Sequence, residues 1–244
     1  MKTWPVSVQL DNVKKTFGEK VALAIDNLKI EGGEILGLVG NNGAGKTTMF
    51  RILLDLIKPD LGEARIDNLL TNETEDWKSF TGSYLDAGFL IDYLTPEEYF
   101  SFVAKVNGIS KDEMDERLKG FEDLMNGEVM GQNKLIRNLS AGNKQKVGII
   151  AAMLHNPQLI ILDEPFNFLD PSSQLAVKYI LEKYNKETGA TILVSSHNLS
   201  HTLEICSRVI LLEHGVIIKD MRKGEEDVNA VLEQYFESSL HHDE

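Results

Sequence analysis

The sequence predicts an α/β domain built on a mainly parallel sheet, and three features carry that expectation. Short apolar runs rich in β-branched residues recur along the chain, and several are apolar throughout, as strands covered on both faces are. Helical patterns lie between them, which is the alternation of a sheet with flanking helices. A length of 244 residues suits one such domain with a sizeable core.

The strand candidates, in order, are Val6 to Val13, Ile35 to Val39, Leu159 to Leu162, Thr191 to Val194 and Val209 to Leu212. The helical candidates are Gly45 to Ile57, Asn143 to His155 and Ser172 to Lys186. Two segments break the alternation: residues 5–34 pattern as antiparallel strands and residues 95–140 as helices. The charges of KDEMDERLKGFEDL fall at helical spacing and read as a solvated helix face. Leu211 to Asp220 reads as a hairpin turning at His214 and Gly215. The expected division is one domain over residues 1–244. It comprises a β lobe (5–34 and 60–85), a core (35–58 and 141–220), a helical lobe (95–140) and a tail (221–244).

Composition narrows the class. Apolar residues make up 42% and charged residues 26%, the balance of a folded globular chain rather than a disordered one. The longest apolar stretch, Val147 to Leu154, is far shorter than the ~18 residues of a membrane span. The opening MKTWPVSVQL lacks the apolar centre of a secretory signal, and the single Cys206 precludes an intrachain disulfide. A cytoplasmic location is expected. A net charge of -13 repels phosphate backbones and anionic lipid headgroups, which argues against nucleic acid as a partner.

The chemistry begins where the strand EILGLV runs into GNNGAGKTT and then into a helical pattern. Such an order supplies a phosphate cradle. Gly40, Gly43 and Gly45 free the backbone to take φ values closed to other residues, with Asn41, Asn42, Ala44 and Thr48 completing the loop. Lys46 is placed to reach the β and γ phosphates and Thr47 to ligate Mg²⁺. The second element is LIILDEP, residues 159–165, where a buried strand delivers Asp163 and Glu164 at its carboxyl end, the edge at which open parallel sheets bind ligands. Asp163 is expected to hold Mg²⁺, and Glu164 to polarise a water for in-line attack at the γ-phosphate. Together these imply ATP as the ligand and a P-loop NTPase fold.

Between the two elements, Asn138 to Lys146 reads NLSAGNKQK. LSAGN resembles the LSGGQ signature of the ABC ATPases and stands about twenty residues before the acid pair, as it does in that family. The resemblance extends over about residues 6–220, and its style is similar to the ATPase subunits of bacterial ABC-2-type exporters. It implies that Leu169 to Pro171, with Asp170, form the D-loop, that His197 is the switch histidine, and that Phe17 stacks on adenine. It also implies that Ser140 and Gly142 complete the nucleotide site of a partner subunit. One phosphate loop and one signature per chain then require a dimer, either with a second copy or with a second ATPase subunit. A membrane-spanning transport subunit is the implied partner, holding the chain at the cytoplasmic face of the membrane.

Three departures stand out. Ala141 replaces the first signature glycine, Asn143 replaces its glutamine, and Asp86 stands where the family places a Gln or Glu that touches Mg²⁺. The stretch from Asp86 to Leu94, with Phe89 to Ile91, is the expected docking loop, its apolar residues forming an exposed patch. Two other functions compete with transport: an ATP-sensing scaffold without turnover, and a non-transport ABC ATPase acting on a cytosolic partner.

Overall fold

The computed structural model describes residues 5–232 apart from 198, 226 and 229, without the side chains of 199–201; the predicted tail beyond 232 lies outside the described residues. The strands are β1 (Val8–Phe17), β2 (Lys20–Ile30), β3 (Ile35–Val39), β4 (Leu61–Ile66) and β5 (Leu69–Leu70), followed by β6 (Thr81–Tyr84), β7 (Leu159–Leu162), β8 (Thr191–Ser196), β9 (Arg208–Glu213) and β10 (Val216–Arg222). The helices are α1 (Lys46–Leu53), α2 (Pro96–Val106), α3 (Lys111–Lys119), α4 (Glu122–Met125), α5 (Ala141–Met153), α6 (Pro171–Thr188) and α7 (Leu199–Ile205).

Two sheets divide these strands. One is antiparallel with order β2-β1-β4-β5; the other has order β10-β9-β3-β8-β7-β6, parallel except for β10. Strands β3, β7 and β8 are buried at every residue, because alternate side chains serve two different cores. Leu36, Leu38, Ile161 and Leu193 face α1 and the antiparallel sheet, where Met49, Phe50 and Leu53 pack with Leu10, Leu23 and Ile66. Val39, Ile160, Leu162, Ile192 and Val194 face the other way, against Val147 and Ile150 of α5, Val177 and Leu181 of α6, and the helices at 96–125.

The sequence gives good approximations to these elements, and the differences have local causes. The expected helix to Ile57 ends at Leu53, with Asp55 at φ 51 turning the chain out of the helix. Residues 60–85 were expected in the β lobe, but β6 leaves it and pairs in parallel with β7. The hairpin turns as expected at His214 and Gly215, both in the left-handed region (φ 46 and 83) that a two-residue turn demands. Caps fix the helix starts. Thr95 and Glu98 form a reciprocal capping box on α2, and Ser110, Ser140 and Asp170 cap α3, α5 and α6.

Helix α5 lies unusually close to β6. A Cβ built on Gly82 would sit 1.8 Å from the carbonyl oxygen of Ala152, and one on Gly148 would sit 2.1 Å from the Tyr84 ring. Gly148→Ala is therefore expected to destabilise the fold by ~1–3 kcal/mol through overpacking, more than its gain in helix propensity returns. Urea unfolding measures this, and an unchanged midpoint would show that Tyr84 can move aside.

Candidate active site

The loop from β3 into α1 folds around its own backbone. Gly43 and Gly45 take φ 82 and 111, and the Ala44 N–H donates to the Asn41 carbonyl at 3.0 Å. Gly40 differs from expectation: it is not in the left-handed region. It is glycine because a Cβ would lie 2.2 Å from the Leu212 carbonyl oxygen on β9. The Gly215 N–H donates to the Ala44 carbonyl and the Ala24 N–H to the Gly215 carbonyl, so the β9–β10 turn ties the loop to β2.

A cavity of about 330 Å³ opens over this loop, walled by Asn42 through Thr48, Glu164, Phe17, Lys20 and Ala22. Phe17 is half exposed at its mouth, with the Lys15 ammonium 5.5 Å from its ring. Lys46 is buried at the base, its Nζ donating to the Gly40 carbonyl at 2.6 Å and lying 3.3 Å from Glu164 Oε1.

The acid pair emerges from the end of β7. Asp163 is buried, and its Oδ2 accepts from the Thr47 hydroxyl at 2.5 Å while its Oδ1 accepts from the Ser195 hydroxyl of β8. Burial pushes the Asp163 carboxyl above its ordinary range, and the Ser195 and Thr47 bonds oppose that rise. Glu164 stands at φ 49, a conformation costing a non-glycine residue ~1–3 kcal/mol, with its N–H donating to Ser195 Oγ at 2.8 Å. Its Oε2 is 2.8 Å from His197 Nδ1 and accepts from the His197 N–H at 3.2 Å. Lys46, Thr47, Asp163, Glu164 and His197 thus form one constellation.

The remaining candidates lie elsewhere. Ser140 and Gly142 start α5 outside the cavity wall, Ser140 accepting from the Asn143 N–H at 3.1 Å. A methyl on Gly142 would lie 2.7 Å from the Phe168 carbonyl oxygen, whereas Ala141 is exposed, so the steric limit within this chain falls on the retained glycine. Asp170 accepts from the Ser172 hydroxyl and from the Ser173 N–H and hydroxyl, bonds that hold its carboxyl far below the usual range. Asp86 is exposed, accepts from the Gly88 N–H at 2.7 Å and lies 3.9 Å from Arg51. Sequence reasoning missed Ser195, Lys20 and Gln145, whose Nε2 donates to the Glu164 carbonyl at 3.1 Å and whose Oε1 accepts from the Tyr84 hydroxyl at 3.3 Å. Two serines directly after the apolar run Ile192 to Val194 were the available signal for Ser195.

A second cavity of about 330 Å³ runs between β6 and α2, lined by Phe89, Tyr99, Val103, Val106, Gly148 and His155 among others. Phe89 and Val106 are exposed there. Leu90 is buried and Ile91 half-buried, so the expected patch of three apolar residues reduces to Phe89, because Leu90 turns into the helical core.

A glycine loop between a parallel strand and a helix, facing an acid pair on a nearby strand of the same sheet, defines a P-loop nucleotide hydrolase. The ABC transporter family matches residues 23–167. The bacitracin transport ATP-binding protein BcrA of Enterococcus faecalis is 33% identical over 226 residues, covering 89% of this chain and 70% of that protein. The methionine import ATP-binding protein MetN 4 of Oceanobacillus iheyensis is 30% identical, covering 87% and 64%. The dimeric post-hydrolysis state of the ATP-binding cassette MJ0796, bound to ADP and Pi, superposes with a TM-score of 0.78 at 30% identity, over 88% of this chain and 98% of that one. The chain belongs to the ABC transporter family and is an ATP-binding, ATP-hydrolysing cassette of it.

Glu164→Gln is expected to keep ATP binding and to lose ~10²–10⁴-fold in turnover, since an amide cannot accept the water proton. Lys46→Ala is expected to weaken nucleotide binding as well. Phosphate release and equilibrium nucleotide titration read the two effects, and wild-type turnover in Glu164→Gln removes that residue from the reaction.

Proposed function

We propose that this chain powers a membrane-spanning export subunit by closing head-to-tail on a second cassette around two ATP molecules, most simply a second copy of itself. The observation that carries the reading is the Lys46, Glu164 and His197 constellation beside the glycine loop. It has a cation for the γ-phosphate, a carboxylate for the water and an imidazole to orient that carboxylate. Export is the direction that the resemblance to ABC-2-type subunits carries. No helix among the described residues is long and apolar enough to cross a membrane, which fits a chain held at the cytoplasmic face through its partner.

In this mechanism the amides of Gly43 to Thr48 cradle the phosphates, Phe17 and Lys20 border the base and phosphates at the cavity mouth, and Lys46 holds the β and γ oxygens. Glu164 takes a proton from a water whose oxygen bonds to the γ phosphorus, and the bond from that phosphorus to the bridging oxygen of ADP breaks. His197 holds Glu164 in place. The donor set also fits Mg²⁺. Among the described residues no group of three His, Cys, Asp or Glu could cage a metal, and the adjacent Thr47 and Asp163 oxygens would serve as the one or two protein ligands that Mg²⁺ takes beside phosphates and water. Held by these residues, Mg²⁺ would supply charge neutralisation at the phosphates. Asp86 is a further candidate ligand, with one carboxylate oxygen held by the Gly88 N–H at 2.7 Å. Ser140 and Gly142, on the start of α5, cap the second cassette's γ-phosphate, with Asp170 beside them.

Glu164→Gln is expected to sediment as a dimer with Mg²⁺-free ATP and as a monomer with ADP, because only the γ-phosphate bridges the two halves. A monomer under both conditions would sink the clamp. The β6–α2 groove is proposed as the seat of a short helix from the membrane subunit. Phe89→Ser with Val106→Asp is expected to abolish co-purification with that subunit while leaving the isolated ATPase near wild type; retained co-purification would move the seat elsewhere.

A further inference from the structure

The loop joining Glu164 to α6 carries a large aromatic side chain that the isolated chain leaves mostly in solvent. Phe168 is 74% exposed and stands at φ 65, a conformation that glycine or asparagine adopts more readily. The loop around it is fastened. The Asn167 N–H donates to the Glu164 carbonyl at 3.1 Å, the Gln174 amide donates to the Phe166 carbonyl at 3.2 Å, and both Phe166 and Leu169 are buried. Phe168 therefore stands out from a rigid support. Its carbonyl oxygen also abuts Gly142, within 2.7 Å of where a Cβ would be, so its loop and the Ser140–Gly142 cap belong to one surface.

We infer that Phe168 is an anchor of the interface with a second copy of this chain, its ring packing against the rim of that copy's nucleotide cavity when the pair closes. The inference rests on the head-to-tail reading above. A surface that covers the other copy's γ-phosphate through Gly142 brings Phe168 against the same copy, and the similar cassette MJ0796 is dimeric. Exposed in the monomer and buried in the pair, a large aromatic contributes most where water is excluded around it. Charge makes such an anchor useful. Each copy carries -13, so two copies repel, and an apolar contact acts independently of salt while the repulsion does not.

The test measures dimer dissociation constants by sedimentation equilibrium in the Glu164→Gln background with Mg²⁺-free ATP. Phe168→Gly and Phe168→Asn are expected to weaken the dimer about tenfold or more, by the same factor at low and high salt. Phe168→Leu should retain most of the affinity. ADP binding and the thermal midpoint of the monomer should stay level or rise, since glycine and asparagine tolerate the backbone. A dimer as tight as the parent, or tighter, overturns the anchor; a parent that never dimerises with ATP overturns the head-to-tail reading itself, and the anchor with it. A second measurement uses accessibility. The one native thiol, Cys206, is buried, so Phe168→Cys introduces a single reactive site. Its alkylation should slow with ATP and not with ADP, and equal labelling in dimer and monomer would place Phe168 in solvent throughout.

Discussion

The buried Asp163 carboxylate is what the rest of the site depends on. Thr47 at the start of α1 and Ser195 near the end of β8 both donate to it, so three separate segments meet at one carboxyl group. A carboxyl so enclosed is tolerable only where donors satisfy it, and each donor is thereby fixed in place. The sheet order makes this possible: β8 lies between β3 and β7, so its serine stands beside the aspartate, opposite the threonine. The same Ser195 oxygen accepts the Glu164 N–H, which helps hold Glu164 in its left-handed conformation. With its backbone turned there, Glu164 places one carboxylate oxygen toward Lys46 and the other toward His197.

The lobes contribute unequally around that centre. The antiparallel sheet supplies the mouth of the nucleotide cavity, through Phe17 at the end of β1 and Lys20 and Ala22 on β2. The helical lobe lies on the opposite core and shares α5, whose first turn carries Ser140 and Gly142 and whose later turns pack under β6 and β7. One helix therefore spans the distance between the surface proposed above to face a second cassette and the interior of the sheet.

The sequence was most legible where chemistry forces local order. The glycine loop, the acid pair and the His214–Gly215 turn all depend on short contiguous segments, and each stands at its expected place in the chain. What depended on tertiary contact was not legible. Gly40 looked like a conformational glycine, yet its constraint is the Leu212 carbonyl on a strand more than 170 residues away in sequence. The placement of β6 in the parallel sheet follows from its fit beneath α5, which no periodicity in four residues reveals. Leu90 and Phe89 are neighbours of similar character, and only packing decides that one is core and the other surface.

The glycine contacts between β6 and α5 leave no slack, and that has a mechanical consequence. Tyr84 lies on Gly148, lines the β6–α2 groove, and reaches Gln145, whose amide holds the Glu164 carbonyl. Load applied at the groove therefore meets a stiff strut instead of a compressible cushion of side chains. Three residues, from the ring of Tyr84 to the backbone of Glu164, separate the place where a membrane helix would press from the carboxylate that would split ATP. A joint built this way transmits force in both directions with little lost travel.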